Sequence, residues 1–267
     1  MKLKIGKKTL IMGILNITPD SFYDGGRFLD NKKALERAYQ LYNEGADIID
    51  IGGESTRPGS KPVSLQEEID RVCPVIEGIY KNIDIPISID TTKSSVAQEA
   101  LTLGASIVND ISGLSFDNRM AEVVAKYKSY LVLMHIKGIP ENMQGDTQYQ
   151  NLLEEIYSYL EDAKNKAINH RIDSEKLIID PGIGFGKTLE DNYEIIRNCE
   201  YFKRMGLPLL IGLSRKSLIG RLYNNECDRL PATIALNAIS VINGADIIRV
   251  HDVKEHRLAL TAIERLK

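Results

Sequence analysis

The chain has 267 residues, a net charge of −3, 43% hydrophobic residues and 27% charged residues. This composition is typical of a globular protein and excludes collagen-like, disordered and disulfide-scaffold proteins. Because there is no net positive charge, we expect no nucleic-acid partner, and a phosphorylated substrate would need a local cluster of basic groups.

Eight short runs rich in Ile, Val and Leu are predicted to be strands. Their apolarity is continuous rather than alternating, which is typical of parallel strands covered on both faces. In chain order the runs are Thr9–Leu15, Asp47–Ile51, Ile87–Ile89, Ser106–Val108, Tyr130–Met134, Leu177–Ile179, Pro208–Ile211 and Asp246–Val250.

Helical patterns fill the stretches between these runs. Residues 149–168 place apolar side chains at steps of three and four, and Ser64 to Glu67 form a capping-box pattern. A Gly-Ala-x-Ile-Ile/Val fragment occurs three times, beginning at Gly45, Gly104 and Gly244. Each copy predicts a helix that ends at a left-handed glycine and is followed at once by a strand.

Eight such strand–helix units over roughly 250 residues predict an α/β protein with a single closed (β/α)₈ TIM barrel. We expect residues 1–267 to form one domain, because neither a linker nor a low-complexity segment interrupts the pattern. A doubly wound open sheet is the alternative fold.

Cysteine usage and the N-terminus bear on location. Cys73, Cys199 and Cys227 are scattered and odd in number, so neither a disulfide framework nor a cysteine zinc site is predicted. Charge interrupts the N-terminus too early for a signal sequence, and every apolar run is much shorter than the ~20 residues of a membrane span. We therefore expect a cytoplasmic protein without a membrane partner.

Polar groups follow every predicted strand, at the rim where a barrel carries its active site. Asp, Asn and Ser at these points have an alternative interpretation, because they often cap the next helix. Capping does not account for Arg57, Lys216, Arg249 or His251.

Several familiar site patterns are missing from the sequence. Residues 181–188 fit neither the Walker nor the dinucleotide fingerprint, and no G-x-S-x-G elbow is present. His135, His170, His251 and His256 lack the paired spacing of a zinc site. We expect His170 and His256 to lie on helix surfaces.

The remaining rim residues suggest a ligand with two parts. Buried carboxylates accept the paired N–H donors of an amino-pyrimidine edge, whereas Arg and His suit a diphosphate. Asn16 offers a neutral oxygen that, with substrate phosphates and waters, could complete the coordination of Mg²⁺. The sequence therefore predicts a pocket for a flat heterocycle with a phosphorylated arm, formed by Asp90, Asn109, Asp180, Lys216, Arg249 and His251.

Eight stretches of the chain resemble the dihydropteroate synthase family. They cover almost the whole chain in the family's order, one at each strand end. The related methyltetrahydrofolate methyltransferase domains share the barrel and the pterin pocket but not this full set. The stretches are ILNITPDSFYDGG (14–26), GADIIDIGGESTRPGS (45–60), SIDT (88–91), VNDISGL (108–114), LMHIKGIPENMQ (133–144), DPGIGFGKT (180–188), SRKS (214–217) and RVHD (249–252).

The resemblance implies a transferase of folate biosynthesis. Its substrates would be 6-hydroxymethyl-7,8-dihydropterin diphosphate and para-aminobenzoate, and its products 7,8-dihydropteroate and diphosphate. It also implies Mg²⁺ as cofactor, held by Asn16, and a homodimer. Two alternatives are a methyltransferase module acting on a methylated folate and a non-catalytic pterin-binding paralogue.

The resemblance further implies a role for each matching position. Lys216, Asp180 and Asp24 would be the catalytic residues. The pterin would contact Asp90, Asn109, Asp180 and Lys216. The diphosphate arm would contact Thr56, Arg249 and His251, near the Val250 backbone. The aminobenzoate would contact Phe22, Arg57, Pro58 and Ser214, with Phe185 and Lys187 close by.

Overall fold

The structure is a computed structural model that describes residues 3–6, 8–18, 27–222 and 228–266. Each predicted strand is confirmed, with its ends within about two residues of the expected positions. The strands are β1 (Leu10–Asn16), β2 (Ile48–Gly52), β3 (Ile87–Asp90), β4 (Ile107–Asp110), β5 (Tyr130–Met134), β6 (Leu177–Asp180), β7 (Leu210–Ile211) and β8 (Ile247–Val250).

The eight strands form one parallel sheet in the order β6-β5-β4-β3-β2-β1-β8-β7. The two ends of this sheet meet through a parallel bridge between Ile179 and Leu209, where the Ile179 N–H donates to the Pro208 carbonyl over 2.9 Å. The sheet is therefore a nearly closed barrel, which confirms the predicted fold over the open-sheet alternative.

Helices alternate with the strands around the barrel. They are α1 (Arg27–Asn43), α2 (Leu65–Asn82), α3 (Ser94–Thr102), α4 (Met120–Tyr127), α5 (Leu152–Asn169), α6 (Leu189–Arg197), α7 (Cys199–Lys203), α8 (Ser217–Leu222), α9 (Leu230–Ile242) and α10 (Val253–Ile263). Within the described ranges, each helix is too short or too polar to cross a bilayer.

The helix ends follow the local sequence signals, with one difference. The Ser64 side chain caps α2 by accepting the Glu67 N–H over 3.2 Å, but the Glu67 carboxylate contacts Arg71 and does not complete the capping box. A complete capping box is found at the start of α6, between Thr188 and Asp191.

The three predicted helix–strand joints are confirmed. Gly45, Gly104 and Gly244 have φ values of 97°, 116° and 109°, a left-handed conformation that L side chains rarely adopt. At Gly104 a Cβ atom would also lie 2.2 Å from the Tyr80 ring, so glycine is needed there for space as well.

The barrel interior is filled by side chains rather than open. Leu10 and Met12 of β1 pack with Ile48, Val132 and inward residues of four other strands in a buried cluster. A second, larger cluster lies between the sheet and the helices. Because side chains fill the interior of the barrel, we expect a ligand site at the carboxyl ends of the strands.

Candidate active site

A cavity of about 1160 Å³ opens at the carboxyl ends of the strands. Its wall contains most of the side chains that the sequence placed at the rim. The expected residues in the wall are Asn16, Thr56, Arg57, Pro58, Asp90, Phe185, Ser214, Lys216, Arg249 and His251.

Arg249 forms the centre of an ion cluster in the floor of this cavity. Its Nε donates to Asp50 Oδ2 and its terminal nitrogen donates to Asp90 Oδ2, each over 2.6 Å. The Asn109 amide donates to the same Asp50 oxygen over 3.3 Å. Asp50 is fully buried, and sequence reasoning missed it, although a charged residue inside an apolar run was a signal.

The cluster leaves two buried carboxylate oxygens without a partner. Asp50 Oδ1 and Asp90 Oδ1 make no hydrogen bond among the described residues, and of the two residues Asp90 is the one that lines the cavity. Burial raises the pKa of Asp90 to about 7, with Arg249 opposing the shift and Asp50 adding to it. Burial alone would lower the pKa of Arg249, but Asp50 and Asp90 outweigh it and raise the pKa. Asp90 can therefore accept or share a proton with a bound heterocycle near neutral pH.

Lys216 and Asp180 form a second charged pair beside this cluster. Burial lowers the pKa of Lys216 to about 8, and Asp180 opposes the shift. Burial raises the pKa of Asp180, and Lys216 opposes it in turn. Lys216 Nζ donates to the Ile183 carbonyl and lies 4.5 Å from the centre of the Phe185 ring. This ammonium is thus held at the cavity wall by a carbonyl and an aromatic face.

Ser214 contacts both the backbone and the ring of His251. The Ser214 hydroxyl oxygen accepts the His251 backbone N–H over 3.1 Å and lies 2.9 Å from His251 Nδ1. Burial, followed by Arg249, lowers the pKa of His251 to about 4. The imidazole is therefore neutral at pH 7, and its single ring N–H is a hydrogen-bond donor.

Three expected substrate-binding residues, two assigned to the pterin and Val250 near the diphosphate arm, are absent from the cavity wall that the structure describes. Asn109, Asp180 and Val250 are all buried, with 3%, 6% and 0% of their surfaces exposed. Both polar residues still contact or influence groups of the site. Asn109 donates a hydrogen bond to Asp50, and the charge of Asp180 interacts with that of Lys216. Phe22 and Asp24, the expected aminobenzoate and catalytic residues of the first loop, lie outside the described residues.

One histidine contradicts the sequence expectation. His256 is 1% exposed, because α10 packs on α9 and the Asn237 amide meets the His256 ring over 3.0 Å. The prediction of a surface position was therefore wrong for His256 and is confirmed for His170.

Lys187 is a buried base whose partners the sequence did not predict. It is 2% exposed, and its ammonium lies 2.9 Å from His135 Nδ1 and donates to the Phe185 carbonyl over 3.0 Å. Burial lowers the pKa of Lys187 to about 7, and Asp180 opposes the shift. Lys187 thus supports the loop that carries Phe185 and does not line the cavity.

Lys187→Met should remove a pH dependence of stability. In the folded protein the pKa of Lys187 is depressed from 10.5 to about 7, so only the unfolded chain holds this proton between these values. The wild-type free energy of unfolding should therefore rise with pH relative to the variant, by up to ~1.4 kcal/mol per pH unit. Urea unfolding of both proteins from pH 7 to 10 measures this. Parallel curves would contradict the assignment.

A metal ion would find few protein ligands at this site. Within the described residues, no group of three or more His, Cys, Asp or Glu side chains could hold one. Asn16 Oδ1 and Asp90 Cβ would each lie 3.6 Å from a Cβ atom built at Gly52, so the two side chains lie next to the same glycine, and both line the cavity. Oxygen donors of this kind suit Mg²⁺ when a substrate phosphate supplies further ligands.

Comparisons with known proteins agree with this architecture. The family described as pterin binding enzyme matches residues 12–251. A dihydropteroate synthase of Clostridium beijerinckii is 46% identical, covering 97% of this chain and 94% of its own. The Escherichia coli K12 dihydropteroate synthase is 44% identical and covers 95% of this chain and 90% of its own.

Solved structures give the same result. A Clostridium difficile dihydropteroate synthase, crystallised in the presence of pteroic acid, has a TM-score of 0.94 and 43% identity, and it covers 99% of each chain. The Thermus thermophilus dihydropteroate synthase in complex with 4-aminobenzoate has a TM-score of 0.87 and 37% identity, covering 98% of this chain and 95% of its own. The chain therefore belongs to the pterin binding enzyme family and, within it, to the dihydropteroate synthases.

Proposed function

We propose that the cavity joins para-aminobenzoate to 6-hydroxymethyl-7,8-dihydropterin diphosphate, giving 7,8-dihydropteroate and diphosphate. The observation that carries this proposal is the convergence of Asp90, Lys216, Arg249 and His251 on one cavity. Two solved relatives, one crystallised in the presence of pteroic acid and one in complex with 4-aminobenzoate, support the same substrates.

The pterin is assigned to the floor of the cavity. Its amino-pyrimidine edge presents N–H donors. Asp90 Oδ1, which has no partner among the described residues, and the Asp180 carboxylate can accept hydrogen bonds from them. Lys216 would donate to a ring acceptor from its position over Phe185. Asn109 would act on the same edge after a small movement, since its amide now bonds to Asp50.

The diphosphate arm is assigned to the cationic side of the cavity. Arg249 supplies a permanent positive charge, and neutral His251 offers a polar ring nitrogen. Thr56 and the exposed Arg57 line the same side, and Val250 contributes only its backbone. These groups would neutralise the charge that grows on the leaving diphosphate, which lowers the barrier to C–O cleavage.

The aminobenzoate is assigned to the mouth, between Pro58, Arg57 and Ser214, with Phe22 of the first loop. Its aromatic amine is neutral at pH 7, so attack on the pterin methylene requires no strong general base. The dihydropterin ring can delocalise positive charge on that methylene, so a dissociative path is expected. Asp24 would stabilise this cation, and loop closure would keep water from capturing it.

Asn16 is assigned as the protein ligand of Mg²⁺. Its side chain makes no hydrogen bond to another described residue and faces the cavity beside Asp90. The bound ion would add positive charge next to the leaving diphosphate.

Asn16→Ala should raise the Mg²⁺ concentration needed for half-maximal activity by about tenfold, because one of six ligands is lost. Calorimetric titration of Mg²⁺ into the protein with diphosphate present should show the same weakening without turnover. An Asn16→Asp variant retains an oxygen ligand and serves as the control. Superimposable titrations of wild type and Asn16→Ala would exclude Asn16 as a ligand.

A coupled assay of diphosphate release tests the proposed function. Release should require both the pterin diphosphate and para-aminobenzoate, and one diphosphate should appear per dihydropteroate. Methyl transfer from a methylated folate without Mg²⁺ would favour the methyltransferase alternative. Tight pterin binding without release would favour the non-catalytic paralogue.

We further propose a homodimer, built on α9. The sequence of this helix contains no charged residue, yet Ile239 and Ile242 are 45% and 56% exposed. Light scattering should give twice the chain mass of 29.9 kDa, and Ile242→Glu should halve the measured mass. A wild-type protein of single-chain mass would contradict this assembly.

A location in the reducing cytoplasm is also proposed. It is supported by Cys73 and Cys199, which are free thiols in the structure.

A further inference from the structure

Loop 2, residues 53–63, connects β2 to α2 and carries Thr56, Arg57 and Pro58. Behind it lies a second cavity of about 200 Å³. Glu54, Thr56 and Asp90 line both this cavity and the larger one. Loop 2 therefore separates two cavities. It does not pack along its length against a solid core that would fix its position.

An ion cluster holds the base of loop 2. Lys93 Nζ donates to Glu54 Oε2 on the loop and to Glu68 Oε2 on α2, each over 2.5 Å. Glu54 Oε2 also accepts the Val63 N–H over 3.0 Å, so one carboxylate oxygen joins the start and the end of the loop. Thr91 Oγ1 donates to Glu68 Oε1 over 2.7 Å and orients the buried carboxylate.

Outside this cluster, loop 2 is held by hydrogen bonds to backbone carbonyls, none of which involves Glu54 or Glu68. The Arg71 guanidinium donates to the Gly53 carbonyl over 2.7 Å, and the Gly59 N–H donates to the Pro140 carbonyl over 3.1 Å. Ser60 Oγ donates to the Ser55 carbonyl within the loop itself. None of these three contacts would offset the charge of Glu54 and Glu68 if Lys93 were absent.

We propose that Lys93 is a positioning residue that clamps loop 2 through Glu54, and so places Thr56, Arg57 and Pro58 against the diphosphate arm and the aminobenzoate. The inference rests on the proposed function of this loop. Lys93 lines the smaller cavity and is absent from the described wall of the larger one, and its ammonium is paired with the two carboxylates.

The charges explain why the clamp needs a cation. Glu68 is 1% exposed, so two nearby carboxylates without an ammonium would repel each other in a poorly solvated place. Burial would lower the pKa of Lys93, but hydrogen bonds to Glu54 and Glu68 outweigh it and raise the pKa, so the residue stays charged. Arginine can bridge two carboxylates, whereas methionine fills a similar volume without charge.

Lys93→Met should raise the KM for para-aminobenzoate by about tenfold or more, with a smaller fall in kcat, because a displaced loop misplaces its contacts. Hydrogen exchange of a peptide spanning residues 53–63 should become faster. Lys93→Arg should restore both readings to within about threefold of wild type. Lys81→Met is the matched control, since Lys81 pairs with Glu77 at the surface of α2.

Two outcomes would overturn the clamp. One is a Lys93→Met enzyme with wild-type KM and wild-type exchange in residues 53–63. The other is an equal loss in Lys93→Met and Lys93→Arg accompanied by a lower Tm, which would indicate a general folding defect. Failure of the proposed function can be distinguished from failure of the clamp. If the proposed function is wrong, the wild-type protein itself releases no diphosphate in response to para-aminobenzoate. The hydrogen-exchange comparison of residues 53–63 would still test the clamp in that case.

Discussion

Lys216→Ala should lower kcat/KM by roughly 30- to 1000-fold, equivalent to ~2–4 kcal/mol of transition-state stabilisation. The ammonium lies over the Phe185 ring and donates to the Ile183 carbonyl, so it is held in place before a substrate arrives. Its loss would remove the donor that we propose for the pterin. It also removes the main charge that opposes the raised pKa of Asp180. Steady-state kinetics with both substrates varied would measure the effect.

Lys254→Ala is the matched control for this variant, because Lys254 is exposed on α10 and lies outside the cavity wall. The control should retain wild-type kinetics. A Lys216→Ala enzyme that folds with an unchanged Tm and turns over at nearly the wild-type rate would remove Lys216 from the site.

Arg249→Met should lower the free energy of unfolding by about 3 kcal/mol at pH 8, because it leaves Asp50 and Asp90 buried without their cation. The raised pKa of Asp90 sets the pH dependence. The pKa of the Asp90 carboxyl is raised to about 7 in the folded protein, so the folded protein holds this proton more tightly than the unfolded chain does. The free energy of unfolding that this difference contributes is present at low pH and is lost as the pH rises through about 7. Without Arg249 this pKa rises further, so the difference from wild type should grow from pH 5 to pH 8.

Urea unfolding of wild type and Arg249→Met at pH 5 and pH 8 measures this difference. Two further variants control for the cause. Arg249→Lys retains the charge but replaces the two nitrogens that donate to Asp50 and Asp90 by a single ammonium, so an intermediate loss is expected. Adding Asp90→Asn to Arg249→Met should recover part of the lost stability at pH 8. A loss that is the same at both pH values would exclude the buried carboxylates as its cause.

The strands and their joints could be predicted because each depends on local sequence. Continuous apolar runs gave their positions, and left-handed glycines such as Gly104 marked the helix ends. The seventh run was predicted over four residues, but β7 has only two. Pro208 has no N–H to donate, and the Leu209 N–H donates to the Asp246 carboxylate, so neither donates to a neighbouring strand.

The rim residues could be predicted, whereas their partners could not. Lys216 follows β7 and Arg249 is the last residue but one of β8, so both lie at the carboxyl ends of strands, a position that indicates the site. Asp50 lies within a strand, and only the barrel register shows that it meets Arg249, 199 residues later. The same holds for Lys187 with His135 and for Lys93 with Glu54, which are 52 and 39 residues apart. These contacts are made by tertiary packing, for which the sequence carries no short-range pattern.

A crystal structure of this chain with 7,8-dihydropteroate would test the proposed site most directly. We expect the amino-pyrimidine edge to lie against Asp90 and Asp180, Lys216 beside the ring, and the benzoate end near Pro58 and Ser214. A pterin ring bound away from these carboxylates, with Arg249 still closing the floor over Asp90, would contradict it.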